Sequence, residues 1–363
     1  MAYGEAEVTV DNKGNGTIEG VEDTLLFIGQ APSNQNTVCK LDSGTDLDDM
    51  FGEDNSVLKT NVKAAMLNAG PNFTASAIPL ANGGDWLAAA ELAMDEDVSP
   101  EFIVVTSPVG TKVDIEAAHA MAVNILNRHK RRVVICIAAP GIDSGLETWA
   151  SYFTAMNTLI DGAAAARVLV VPQLHGNELG ILAGRLVSDK ATIADTPMRV
   201  ETGPAVGLGP VPVDSTGAKL TLAQIHALGD MRYTTIDRHE GYIGTYFSDG
   251  NMLDVPGGDF AVIEHLRIVD KAARQILILA TSDIGSRRLN SSPDAMANAK
   301  TKYMAPLREM ATGTLEHPGD IKKVTGDNIE IIWKSKTEVH IYFTLTPLNS
   351  AKTIGARIAL NLQ

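Results

Sequence analysis

The sequence predicts an α/β fold centred on a mostly parallel sheet, and three observations lead there. Between residues 74 and 200 short apolar runs alternate with longer amphipathic ones. The runs at 102–106 and 132–139 are apolar at nearly every position, as strands covered on both faces must be. After Asp259 the pattern changes to helix, helix and three strands, the last of which reaches Gln363.

The elements follow in order. Residues 1–20 form an arm: Glu5, Glu7, Val8 and Val10 alternate loosely, and Gly14, Gly16 and Gly20 supply a hinge. Residues 21–73 hold a buried strand (DTLLFIGQAP), an acidic loop and a helix at 57–68. Residues 74–200 hold strands at 76–80, 102–106, 132–139 and 167–171 and helices at 85–94, 114–128, 144–159 and 179–188. That block has the order of a Rossmann-like or flavodoxin-like α/β domain. Residues 201–258 connect: a Gly/Pro-rich loop, a helix at 222–228, and short strands paired across a turn at 248–251. Residues 259–351 give helices at 259–280 and 291–313 and strands at 328–336 and 337–347. Pro306 within the second helix argues for a kink or an early end. Residues 352–363 form a strand arm, available to pair with another chain.

Composition narrows the function. The net charge of −14 disfavours direct nucleic-acid binding, which needs a positive footprint. No apolar run approaches the ~20 residues of a membrane-spanning helix, so no membrane insertion is expected. Residues 1–60 carry 3 basic and 12 acidic groups, whereas residues 264–363 carry 14 and 10. An acidic front and a basic back suit head-to-tail association of identical chains. Cys39 and Cys136 are far apart and suggest no disulfide framework, as expected for a reducing cytoplasm.

No catalytic, cofactor-binding or metal constellation emerges. No phosphate-binding loop occurs, and Gly203, Gly207 and Gly209 lie among prolines with no helix after them. Counting a calcium loop from Asp42 puts Leu47 where glycine is required, although Glu53 fits the final position. The best enzymatic alternative is His175 with Glu178, three residues apart beyond a strand end, where open α/β sheets place their sites. That reading expects an open pocket lined by both.

The two ends of the chain resemble the tail sheath proteins of contractile-tailed, Mu-like bacteriophages and of R-type pyocins. The opening VEDTLLFIGQAP is similar to the start of the sheath core. Arg267, Asp270, Lys271 and Arg274 resemble that family's first tube-side helix. Leu289 to Pro293, Lys300 and Pro306 to Arg308 resemble its second. Pro318 to Ile321 and the final strand complete the pattern, while the middle of the chain matches weakly.

The resemblance implies a sheath-type C-terminal α+β core domain, an inserted α/β domain at 74–200, and extended N- and C-terminal strand arms. It implies a structural protein without cofactor, polymerised as stacked hexameric rings around a tail tube, with baseplate and tail terminator proteins as further partners. Such a protein belongs to the virion tail and is assembled in the host cytoplasm. The residues implied in inter-subunit strand exchange are Glu7, Val8 and Val10, then Ile331, Trp333, Ile341 and Phe343 of the acceptor sheet, and Ile358, Leu360 and Leu362. Lys300, Lys302 and Arg308 are implied to face the tube.

Overall fold

The computed structural model describes residues 21–314 and 317–357. The expected arm residues Glu7, Val8, Val10, Ile358, Leu360 and Leu362 lie outside them. The first part of the chain runs β1 (Leu25–Gln30), β2 (Cys39–Asp42), α1 (Leu47–Phe51), α2 (Val57–Ala69), β3 (Thr74–Leu80) and α3 (Trp86–Asp95). It continues with β4 (Phe102–Val105), α4 (Lys112–His129), β5 (Val134–Ala139), α5 (Trp149–Ile160), β6 (Ala165–Pro172) and α6 (Glu178–Leu186). Then come α7 (Leu222–Asp230), β7 (Ile236–Asp237), β8 (Tyr246–Phe247) and β9 (Met252–Leu253). The C-terminal unit comprises α8 (Ile263–Asp283), α9 (Pro293–Met310), β10 (Ile329–Trp333) and β11 (Val339–Phe343).

Seven strands form one sheet in the order β2-β3-β1-β4-β5-β6-β9. The inner pairings are parallel, and both outer strands run antiparallel to their neighbours. Taken in chain order, the five parallel strands stack 2-1-3-4-5, the flavodoxin-like arrangement. Strand alternation splits the core. Leu26, Ile28, Ile135 and Ile137 pack on one face under α3, α4 and α5. Leu25, Phe27, Val134 and Cys136 pack on the other under α2, α6 and the start of α8. Both faces are dry, which is why these strands are apolar throughout.

The expected boundary at Thr74 does not coincide with a break in the sheet. β1, from the segment before it, pairs with both β3 and β4 and sits near the centre of the sheet. The parallel sheet needs the Leu25–Gln30 strand to join its halves. Five local expectations also change. The 144–159 helix starts only at Trp149, because Thr148 and Ser151 form a capping box there. The acidic loop contains α1, whose N-cap Asp46 accepts from the backbone of Asp48 and Asp49. β8 and β9 do not pair across the 248–251 turn: β8 pairs with β7, and β9 goes to the sheet edge beside β6. α9 continues through Pro306 to Met310, since Tyr303, Met304, Leu307 and Met310 bury the surrounding turns. Residues 351–357 of the expected third C-terminal strand are not in a strand.

α6 is buried at all nine positions. It can lie directly on α2 because Gly180 and Gly184 have no side chain. A Cβ at Gly180 would stand 2.1 Å from the Asn61 carbonyl oxygen, and one at Gly184 would stand 2.4 Å from that of Ala65. Asn177, the N-cap of α6, makes no side-chain cap bond. Asn61 of α2 fills that role, its Oδ1 accepting from the Gly180 amide at 2.9 Å. Gly184→Ala is therefore expected to cost about 1–3 kcal/mol by overpacking. A lower denaturant midpoint at unchanged slope would agree; an unchanged midpoint would mean the helices have room to part.

Candidate functional site

The chemistry-bearing residues of this chain gather on α8 and on the hairpin behind it. Along α8, Glu264, Arg267, Asp270, Lys271 and Arg274 recur at spacings of three and four, so they share one side of the helix. That side faces the body of the protein, and each charge meets a different part of the chain.

Arg267 is the most enclosed, with its side chain 1% exposed. Its Nε and Nη2 donate to the two carboxylate oxygens of Glu101 at 2.8 and 3.0 Å. Nη2 also donates to Asp23 at 2.8 Å, and Nη1 to the Leu186 carbonyl at 3.1 Å. The guanidinium lies 5.0 Å from the centre of the Phe102 ring. Burial would lower its pKa, but the Glu101 and Asp23 carboxylates outweigh that and hold it above the ordinary value. Glu101 accepts the Asp23 amide as well, at 2.7 Å.

The remaining charges follow the same plan. Asp270 accepts two bonds from Arg167, both 2.8 Å, with Arg132 at 3.6 Å. Lys271 reaches Asp320 at 3.2 Å. Arg274 donates to Glu22 at 2.7 and 3.2 Å. Glu264 stands 2.7 Å from Lys352, which also bonds both oxygens of Asp249 at 2.7 and 2.6 Å.

The second feature is the β10–β11 hairpin. Its register sets Ile331 opposite Ile341, Ile329 opposite Phe343 and Trp333 opposite Val339. Ile329 and Ile331 pack on Ala299, Tyr303 and Met304 of α9, with Ile341 and Phe343 beside them. The structure thus brings Ile331, Trp333, Ile341 and Phe343 together as alternate residues on the inner face, while Glu330, His340 and Tyr342 are exposed. Among the described residues this sheet has two strands, so each offers an unpaired edge. Beside β11 runs a mostly apolar groove of ≈ 490 Å³, lined by Ile276, Leu277 and Ala280 of α8 and by Ile341, Phe343 and Leu345, with Lys130 and Arg132 also on its wall.

Of the three expected tube-facing cations, Lys302 is engaged internally, 2.6 Å from Asp283 and 3.1 Å from Ser282 Oγ. Lys300 is half-buried and Arg308 exposed, and neither makes an ion pair among the described residues. His175 and Glu178 do meet, with Nδ1 and Oε1 2.8 Å apart, but their side chains are 0% and 1% exposed. Gly209 lies over the pair, where a Cβ would stand 1.9 Å from the His175 carbonyl oxygen. The open pocket that the enzymatic alternative expected is not formed there. Among the described residues no group of three His, Cys, Asp or Glu side chains could hold a metal ion.

Sequence reading missed Glu22, Asp23, Glu101 and Lys352 as partners. The usable signal was on α8, where Arg267 stands between Leu266 and Ile268 in an apolar stripe. Removing one member of such a buried pair costs about 3–5 kcal/mol, because the other is left charged and alone. Arg267→Met should show that loss in chemical denaturation, and Arg267→Met with Glu101→Leu should recover most of it. No recovery in the double variant would assign the loss to packing instead.

Two carboxylates on this surface are expected to differ in sign with pH. Burial raises Glu22, but the hydrogen bond and charge of Arg274 outweigh it, aided by Lys271, and its pKa is lowered. Its stabilisation is present at neutral pH and lost as pH falls through that lowered value. Burial dominates at Glu264 despite Lys352, and Asp249 adds to the rise, so its pKa is raised. Ionising Glu264 therefore subtracts stability as pH increases through its raised value. At neutral pH Glu22→Gln should lower stability, whereas Glu264→Gln should hold or raise it. Stability curves across pH that move the same way for both would contradict this.

Comparison with known proteins gives a consistent family. The family model DUF2586, N-terminal domain, matches residues 3–251, and DUF2586, C-terminal domain, matches residues 259–363. A "Putative tail sheath protein" of Haemophilus phage HP1 (strain HP1c1) is 37% identical over 99% of this chain and 98% of its own. The sheath of an extracellular contractile injection system in its contracted state superposes with a TM-score of 0.67 at 12% identity, over 100% of this chain and 98% of the other. The contracted helical sheath of the anti-feeding prophage gives 0.62 at 14% identity, over 97% and 100%. A sheath tail protein from Desulfitobacterium hafniense gives 0.57 at 12% identity, over 95% and 97%. At such identities the structures speak for the fold, whereas the two family models and the phage relative span nearly the whole chain. The chain belongs to the DUF2586 family and, with it, to the tail sheath proteins of contractile phages.

Proposed function

We propose that this chain is the sheath subunit of a contractile phage tail. It polymerises as stacked hexameric rings around the tail tube by exchanging β-strands between subunits. Contraction of that lattice drives the tube through the host envelope. Baseplate and tail terminator proteins bound the polymer, which is assembled in the host cytoplasm and resides in the virion tail. The protein neither binds nucleic acid directly nor inserts in a membrane.

The observation that carries this reading is the unfinished β10–β11 sheet. A two-stranded hairpin is marginal on its own, and its exposed edges are templates for further strands. An incoming strand bonds to the edge through its backbone and places alternate side chains to one face. Beside β11 that face meets the apolar groove along α8. Residues 1–10 and 352–363 have the apolar alternation to donate such strands. Each backbone bond contributes roughly 0.5–1.5 kcal/mol, about what ordering a residue costs. Burial of Ile358, Leu360 and Leu362, roughly 1.5–3 kcal/mol each, tips the balance.

Lys300 and Arg308 fit a weak contact with an acidic tube surface, which must release as the sheath widens. Lys302 supports that contact less directly, since Asp283 holds it. Electron microscopy of the purified chain beside a variant truncated after Thr353 tests the reading. Tubes or stacked rings are expected from the full chain and none from the truncated one. Small discrete particles from both, at every concentration and salt, would overturn it.

A further inference from the structure

We propose that α8 is a clamp that fixes where both terminal segments leave the body, so that tension on either segment reaches the same helix. The inference deepens the sheath reading and rests on it for the source of that tension.

The geometry is specific. Val21 to Asp23 are the first described residues after segment 1–20, and both acidic members bind α8: Glu22 to Arg274 and Asp23 to Arg267. The Asp23 amide is held as well, by Glu101, itself paired to Arg267. At the other end of the chain, Lys352 donates to Asp249 of the turn before β9 and forms an ion pair with Glu264 of α8. Thr196 fixes Asp249 from behind, its hydroxyl donating at 2.9 Å. Glu264 and Arg274 are ten residues apart, so the two roots lie within about 15 Å along one helix.

The body gains little stability from these pairs that an apolar contact would not give. What they add is position. Residues 351 and 353–357 are exposed, and among the described residues Lys352 is the one of 351–357 that is tied by an ion pair. Beyond α8 the tie continues: Asp270 joins the helix to β6 through Arg167, and Glu101 joins it to the start of β4. A pull on either segment therefore passes into the central sheet rather than into the hairpin.

Limited thermolysin digestion of the full-length chain, kept dissociated and read by mass spectrometry, tests this. Lys352→Ala should speed cleavage between residues 346 and 354 by about tenfold or more, since cleavage follows the population of the released form. Glu22→Ala and Arg274→Met should each do the same between residues 21 and 25. Cleavage inside the sheet domain should keep its rate, and Lys352→Arg should restore protection. Unchanged cleavage at the roots, or acceleration at every site together, would overturn the clamp. Because the digestion is done on dissociated chains, it is independent of assembly. A chain that never forms tubes yet shows local release would retain the clamp and remove the sheath reading. Normal tubes with unaltered root cleavage would do the reverse.

Discussion

The contact on which the rest depends is the buried pairing of Arg267 with Glu101. It joins a helix of the C-terminal unit to the residue just before β4, across 166 residues of chain. The guanidinium fork matches the carboxylate with two bonds, the Phe102 ring covers one side, and the Leu186 carbonyl takes a further N–H. Charge buried this deeply is tolerated only when every donor finds an acceptor. The geometry of α8 against the sheet is thus narrowly specified: sliding the helix by one residue would leave Arg267 and Glu101 both charged and alone.

From that fixed helix the two halves of the molecule acquire different characters. The sheet domain is closed, with two dry faces, antiparallel outer strands and α6 sealed against α2 by glycines. Among the described residues the hairpin side is open, with unpaired edges and half-buried apolar side chains along α8 and β11. The proposed function, a subunit that stays connected while its neighbours rearrange, would use that division. In the proposed sheath the closed part keeps its shape, and the open part is the one that would take contacts from other chains.

Much of this was legible in the residues. The parallel strands announced themselves because burial on both faces leaves no polar alternation, as at 102–105 and 134–139. The start of α3 was legible from Asp85, which caps it, whereas the Thr148 and Ser151 capping box that starts α5 was not. What stayed hidden was long-range. β1 joins a sheet formed mainly by later residues, and nothing local in LLFIGQ names its neighbours. β2 has only four residues, and β9 only two, too few to show a period. Three partners of the α8 charges, Glu22, Asp23 and Lys352, lie near the ends of the chain, where each looks like any solvated charge. The resemblance carried by Arg267 to Arg274 pointed to α8. It did not disclose that those side chains turn inward.

The most direct test is a helical reconstruction of the assembled polymer at a resolution that traces strands. The account predicts that β10 and β11 become the inner strands of a larger sheet whose added strands come from other copies, entering through residues 1–10 and 352–363. It also predicts that Arg267 remains on Glu101 and Lys352 on Glu264 within each copy. A hairpin that stays two-stranded in the polymer, or whose added strand comes from its own chain, would contradict it.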